Sequence, residues 1–317
     1  MALIPPNKIP LWRDRRVWQW GIQLLVLALV VLFFGILGNN FWQNFQQLGL
    51  NFSFDFLVDP ERPAAFDIGD RLIAFDRSDP LARALLVGLL NSLRVMGLGI
   101  ILSTLVGVSV GVARLITNTL LSQLAGGYVA VFRNTPLLLQ LFFWYYVVFL
   151  QLPKADQALV WGTVLSLSNQ GLVISLGGGT WTLSPEFATL LTGLTLYTAA
   201  FIAEVVRGGI QSVDRGQWEA AQALGLKGNL ALRLVIFPQA LRVMIPSLTS
   251  EYLNLVKNSS LAIAIGYSDV YAIANTVANL TGKAIEMLIV VMGVYLLLNL
   301  LISWAMNRLN QWLSFEV

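Results

Sequence analysis

No charged side chain occurs in residues 17–54, and further uncharged runs cover 95–113, 115–132, 134–153 and 287–307. A helix needs about 20 predominantly apolar residues to cross the hydrocarbon of a bilayer, and inside lipid every backbone polar group has to be satisfied internally. Runs of this length therefore predict an all-α integral membrane protein. The composition agrees, since 56% of the 317 residues are hydrophobic and only 12% are charged. The net charge of +3 lies in short loops, where it reads as membrane topology, and there is no nucleic-acid signal.

Two residue types are missing altogether: the chain has no cysteine and no histidine. That excludes disulfides, thiolate nucleophiles, Cys-ligated zinc, imidazole-ligated haem, a Ser-His hydrolase and a histidine proton relay. No phosphate-binding loop occurs either, because Gly282 and Lys283 are followed by Ala284 rather than by a hydroxyl that could hold magnesium. The chain is expected to bind no cofactor or metal and to hydrolyse no ATP by itself.

Arg13, Arg15 and Arg16 precede the first apolar run, which continues past signal-peptide length and ends without a small-x-small cleavage site. It reads as a retained span whose start the arginines hold on the cytoplasmic side. Residues 51–83 carry seven acidic and four basic side chains with proline and aromatic punctuation, an irregular extracytoplasmic loop with little helix. Residues 1–84 thus form an N-terminal anchor with its loop. The permease-like remainder, 85–308, is expected to re-enter near Ala84, run to Ala113 with Arg94 inside the apolar segment, and turn around Arg114. A third span is placed at 128–150. Arg133 lies at its cytoplasmic start, and Pro136 is expected to bend the helix or begin a new one. The aromatic run from Phe142 to Tyr146 either packs or stacks on a ligand.

Residues 157–185 are uncharged but broken by "SNQG" and "GGGT" around a strand-like "LVISL". If they crossed the membrane, the five Lys and Arg between Arg207 and Arg242 would lie outside, against the positive-inside rule. They are therefore placed outside as a small cap. Spans at 187–206, from about Ser247 onward, and at 285–306 complete a count of about six, with both termini inside, a basic cytoplasmic loop at 207–247 and a tail at 309–317.

Polar groups inside spans are rare and usually face the protein interior or an aqueous path. Glu251, Asn254, Asn258, Ser259 and Ser260 form the densest such set, and Gly266 with the two serines predicts an irregular helix that frees backbone groups. These residues and Glu204 are the candidate substrate pathway, with helix packing as the alternative reading. Glu204 either lines a path or pairs with Arg207, Arg94 is expected to snorkel outward, and Lys257 lies on a different helix face from Glu251.

The cytoplasmic loop carries its own pattern. Asp214 followed three residues later by Gln217 predicts a capping box. Trp218, Glu219, Ala220, Ala221 and Leu224 continue the helix, Gly225 sits where a left-handed residue would end it, and a second helical stretch is interrupted by Pro238. Glu219, Ala220, Ala221, three residues, Gly225, nine residues and "VIFP" resemble the EAA loop of ABC importer permeases, with Val235 and Phe237 as mild departures from the usual I-x-L-P ending. The flanking "YTAAFIAEVVRGGIQSVDRGQWEAAQALGL", together with "RNTPLLLQLFFWYY" and "GLLNSLRV", resembles the polar and general amino-acid permeases over residues 86–308.

That resemblance implies a type I ABC importer transmembrane domain. It implies a coupling loop of Asp214, Gln217, Glu219, Ala220, Ala221, Gly225 and Pro238 that docks on a separate ATPase, and Ala220 and Ala221 are expected to let that partner approach closely. Arg94, Arg133 and Pro136 are left as structural or interface residues. The implied partners are an ATPase dimer that uses ATP and magnesium, a second permease chain, identical or related, a periplasmic amino-acid-binding protein, and the lipid bilayer. An ion-coupled transporter or channel would also place charges in the membrane, and a non-transporting scaffold would use the loop only for docking. The first leaves the EAA pattern unexplained.

Overall fold

The structure is a computed structural model that describes residues 15–47, 52–176 and 179–314. Arg13, the first two glycines of "GGGT" and the last three residues of the tail lie outside the described residues. Residues 1–53 and 54–317 form two compact units. The first consists of one helix, α1, Arg15–Gln47, with no buried stretch, as suits a span whose whole circumference meets lipid.

The second unit is mostly helical. Its long helices are α2 (Leu81–Ala113), α5 (Pro185–Gln211), α8 (Phe237–Asn258) and α10 (Ala284–Ser314). Between them lie α3 (Thr119–Asn134), α4 (Leu137–Phe142, prolonged by a π-helical turn over Phe143–Phe149), α6 (Arg215–Ala223), α7 (Gly228–Ala231) and α9 (Val270–Thr281). Five helices among the described residues are long and apolar enough to cross a membrane, α1 among them, and Leu137–Phe149 is a shorter apolar one.

The α2 and α5 pair forms the middle of the bundle. Two glycines let the backbones meet: a Cβ on Gly107 would lie 2.6 Å from Ile202, and one on Gly111 would lie 2.8 Å from the Ala203 carbonyl. Small residues at such contacts replace the hydrophobic drive that lipid does not supply. Ile202, Val206, Ile210, Ile236, Ala240, Met244 and Leu248 fill the space between α5 and α8 at one end of the bundle. At the other end Leu137, Leu141, Phe187, Leu190, Ile265 and Tyr267 pack together.

Three expectations change. The span placed at 128–150 is two helices, because Thr135 is extended (φ −108°, ψ 130°) and α4 begins after Pro136. The proline ring crowds the preceding residue out of the helical region, so the new-helix alternative holds. The segment 157–185 contains more than one strand: β1 (Leu159–Trp161), β2 (Leu165–Ser168), β3 (Gly171–Leu176) and β4 (Gly179–Leu183) form an antiparallel meander. The basic loop ends earlier than 247, since α8 starts at Phe237. Pro238 stands in its first turn, directly after a π-helical turn over Leu232–Ile236, so the expected interruption is a widened turn in a continuous helical path from Gly228 to Ile265.

The loop after α1 is irregular, as expected, with one short 3-10 turn at Asp55–Leu57. It has a core of its own, in which Phe56, Ala64, Ile68 and Phe75 bury against Leu81, Ala84, Ile273 and Val277.

Candidate functional site: a capped helix and the charges above it

The polar segment after α5 folds as a short, well-terminated helix. Asp214 is the N-cap of α6, and its Oδ1 accepts from the Gly216 N–H at 2.6 Å. Gln217 does not reach back to complete the capping box. Its Oε1 instead accepts from Gln239 Nε2 at 3.0 Å and so ties α6 to α8. At the other end Gly225 has φ +77°, the Leu226 N–H donates to the Ala221 carbonyl at 3.1 Å, and the Gly225 N–H donates to that of Gln222 at 2.9 Å. These two bonds with a left-handed glycine make a Schellman stop.

The two alanines face opposite ways. Ala221 is 2% exposed and points toward the bundle, whereas Ala220 is exposed. The expectation that both admit a partner is therefore corrected for Ala221, which lets α6 lie close to its own bundle. Trp218 packs against the cluster of Ile202, Val206 and Ile210. The outward face presents Glu219, loosely paired with Arg215 at 3.6 Å, and Leu224, which is 81% exposed. An apolar side chain left in solvent at a helix tip is the feature the sequence reading passed over, because leucine in an otherwise apolar chain attracts no notice.

Above α6, Glu204 of α5 binds more than the neighbouring Arg207. Arg207 donates to its Oε2 through Nε and Nη2 at 3.0 and 2.8 Å and to Gln211 at 2.6 Å. Arg114, the C-cap of α2, forms an ion pair with its Oε1, and Arg133 of α3 stands 3.9 Å from the same oxygen. The pairing alternative for Glu204 thus holds, with two partners that sequence spacing along one helix could not reveal. The four groups line a polar cavity of about 330 Å³ together with Gly126, Asn134 and Phe201.

On α8 the candidate pathway residues separate. Glu251 and Asn254 interact through their side chains, and Asn258 follows at helical spacing on the same face. Ser259 is buried and donates to the Val256 carbonyl at 2.8 Å, while Ser260 donates to that of Lys257 at 2.7 Å. Those hydroxyls are spent on their own helix. The predicted irregularity is present: Ser259–Ile265 is a 3-10 turn ending at Gly266 with φ +78°.

Arg94 does not snorkel. Its guanidinium lies 4.0 Å from the centre of the Phe187 ring and near Asp70 of the preceding loop. Burial pushes the Asp70 carboxyl up from its ordinary value, against the hydrogen bond from Ser184 and the charge of Arg94. The aromatic run of α4 divides as well: Phe142 and Tyr145 pack inward, Tyr145 donating to Glu186 at 2.8 Å, while Phe143 and Tyr146 stay exposed.

Residues 88–315 match the family described as the binding-protein-dependent transport system inner membrane component. The chain belongs to that family. Among curated relatives it is 38% identical to the putative amino-acid ABC transporter permease protein YhdX of Escherichia coli (strain K12), over 93% of this chain and 94% of that protein. It is 37% identical to the general L-amino acid transport system permease protein AapQ of Rhizobium johnstonii, over 91% and 90%. Among solved structures it resembles one described as an amino acid ABC transporter with histidines, at 26% identity and a TM-score of 0.57, covering 73% of this chain and 94% of that one. As a member of the binding-protein-dependent inner membrane components, this chain is an ABC-type permease of the inner membrane with the fold of an importer transmembrane domain.

Proposed function

We infer that the chain is the permease subunit of an amino-acid importer, driven by a separate ATPase dimer and fed by a periplasmic binding protein. The observation that carries the reading is α6. It is a short polar helix with a polar N-cap and a left-handed glycine stop, anchored to the bundle by Trp218 and Gln217 and presenting Glu219, Ala220 and Leu224 to solvent. A surface of that kind suits a groove on a partner. The names of the relatives supply the substrate class. In this reading ATP and magnesium act on the partner, both termini and α6 are cytoplasmic, residues 54–80 and the β-sheet are outside, and a second permease chain completes the path. Glu251, Asn254 and Asn258 line the path on α8.

The test is reconstitution of the permease with its ATPase and binding protein in proteoliposomes. Gly225→Val and Glu219→Arg should reduce both uptake and substrate-stimulated ATP hydrolysis at least roughly tenfold, a loss equivalent to about 1.4 kcal/mol of coupling. Normal coupling in both variants rejects α6 as the docking helix. Leu224→Asp should weaken co-purification of the ATPase. Topology is checked in the same vesicles with single cysteines, since the native chain has none: a cysteine at Ser168 reacting only from the cytoplasmic side overturns the six-span arrangement.

A further inference from the structure

Charge accounting around Glu204 leaves one guanidinium over. A carboxylate has two oxygens, and here Oε2 is taken by Arg207 and Oε1 by Arg114. Arg133 lies at the edge of ion-pair distance, 3.9 Å from Oε1, and among the described residues it donates no hydrogen bond. Its five N–H donors are therefore unspent.

Arg133 is nevertheless held in place. Its guanidinium carbon lies 5.0 Å from the centre of the Phe201 ring, a cation–π contact that fixes the plane of the fork without using its donors. The side chain is 41% exposed, and it opens on the 330 Å³ cavity whose other walls include Asn134, Gly126 and Ala130. The opposite charge is near: Glu251 of α8 lies within electrostatic reach of Arg133 and is joined to Asn254. A preset cation with free donors thus stands close to an anion on another helix. A free α-amino acid carries the complementary pair, a carboxylate and an ammonium on adjacent atoms.

We propose that Arg133 is the residue that receives the α-carboxylate of the transported amino acid inside the permease, with Glu251 facing the α-ammonium. The proposal rests on the amino-acid importer reading above and adds a polarity to the path. Arg114 and Arg207 hold Glu204 and leave Arg133 available, so Glu204 is a positioning residue. Every common α-amino acid presents the same two groups, so a site of this kind recognises the backbone portion of the substrate and is indifferent to its side chain.

Thermal shift of the detergent-solubilised permease–ATPase complex, without binding protein, reads the site directly. Each of the twenty common L-amino acids is added in turn, together with the carboxamide derivative of any that stabilises and with inorganic phosphate at equal concentration. The wild-type complex should be stabilised by at least one amino acid and by neither its carboxamide nor phosphate. Arg133→Gln should lose the stabilisation, and Arg133→Lys, which keeps the charge but not the planar fork, should retain it with roughly tenfold weaker affinity. In reconstituted uptake, Arg133→Gln should lower the maximal rate roughly tenfold while leaving unchanged the KM for loaded binding protein, which docks elsewhere. Assembly of each variant with the ATPase, judged by co-elution, shows that it has folded; if Arg133→Gln fails to assemble, Arg133→Lys is compared with wild type for the carboxylate requirement alone. No stabilisation of wild type by any amino acid, equal stabilisation by carboxamide or phosphate, or an unaltered response in an assembled Arg133 variant overturns the proposal. If wild-type vesicles accumulate no amino acid at all, the importer reading itself fails. If they do and only the Arg133 results are negative, the importer reading stands without this site.

Discussion

The two ends of the bundle are built on different principles. At the end carrying residues 54–80, polar groups are buried and spent on one another: Asn91 Nδ2 donates to the carbonyls of Asp70 at 2.7 Å and Ser268 at 2.9 Å, Ser92 Oγ accepts from the Val270 N–H at 3.0 Å, and Ser184 bonds Asp70. Asp269, 1% exposed, caps α9 through the Ala272 N–H. At the end carrying α6 the polar groups are exposed and loosely paired, with Glu219 at 3.6 Å from Arg215 and Arg133 at 3.9 Å from Glu204. Satisfied buried polar groups make a bundle rigid and unique, whereas exposed ion pairs contribute little and break easily. The closed end is therefore a clamp, and the open end is a surface kept for partners.

Substitutions separate the two if the contrast is real. The largest loss of stability is expected between the ends, where Gly107→Leu drives a side chain into Ile202 and the Ala199 carbonyl. Overpacking of this kind costs on the order of 3 kcal/mol, so little folded permease should be recovered in detergent. Next comes the clamp: Asn91→Leu leaves the Asp70 and Ser268 carbonyls without their donor, at about 1–3 kcal/mol, and should lower the melting temperature of the purified complex. A melting temperature equal to wild type would mean that the clamp is not one. At the open end, Gly225→Val strains a left-handed turn by about 1–2 kcal/mol in a helix outside the bundle core, so melting should change less than for Asn91→Leu even though transport is lost. A drop as large as that of Asn91→Leu would erase the distinction.

The smallest effect belongs to Asp70. Its folded-state pKa is raised by burial, so the folded protein holds a proton that the unfolded chain has released, and the associated stability is present below the ordinary value of 3.8 and declines as pH rises through the folded value. Asp70→Asn, which keeps an acceptor for Ser184 and carries no charge, should flatten the dependence of melting temperature on pH above 3.8. A profile as steep as wild type shows that Asp70 contributes nothing to it.

What could be read in advance divides along physical lines. Hydrophobic runs announce spans because lipid imposes length and polarity on them locally, and α6 could be read because caps are chemistry between residues two to five apart. The β-meander was only half legible: strands of three to six residues without charges carry too little periodicity to be told from a broken helix. The opposed facing of Ala220 and Ala221 depends on what lies under α6, and nothing in the loop says so. Arg114, Arg133 and Glu204 come from three helices, and the stacking of Arg94 on Phe187 joins two more distant points. Contacts between helices leave no spacing pattern in a single chain. The path residues were misjudged in part for the same reason, since whether Ser259 spends its hydroxyl on its own backbone is a matter of rotamer and burial.

The helical path from Gly228 to Ile265 runs 38 residues, a contour of roughly 55 to 60 Å at the α-helical rise, well beyond the thickness of a hydrocarbon layer. One end is joined to α6 through the Gln217–Gln239 bond, and Glu251 lies about two-thirds of the way along. Such a piece behaves as a crank: it transmits rotation along its stiff parts and bends where hydrogen bonds are absent or rearranged, at the π-helical turn Leu232–Ile236 and at Pro246. Torque applied to the docking helix would then turn the face that carries Glu251 and Asn254, with the two soft joints setting how much of the stroke arrives.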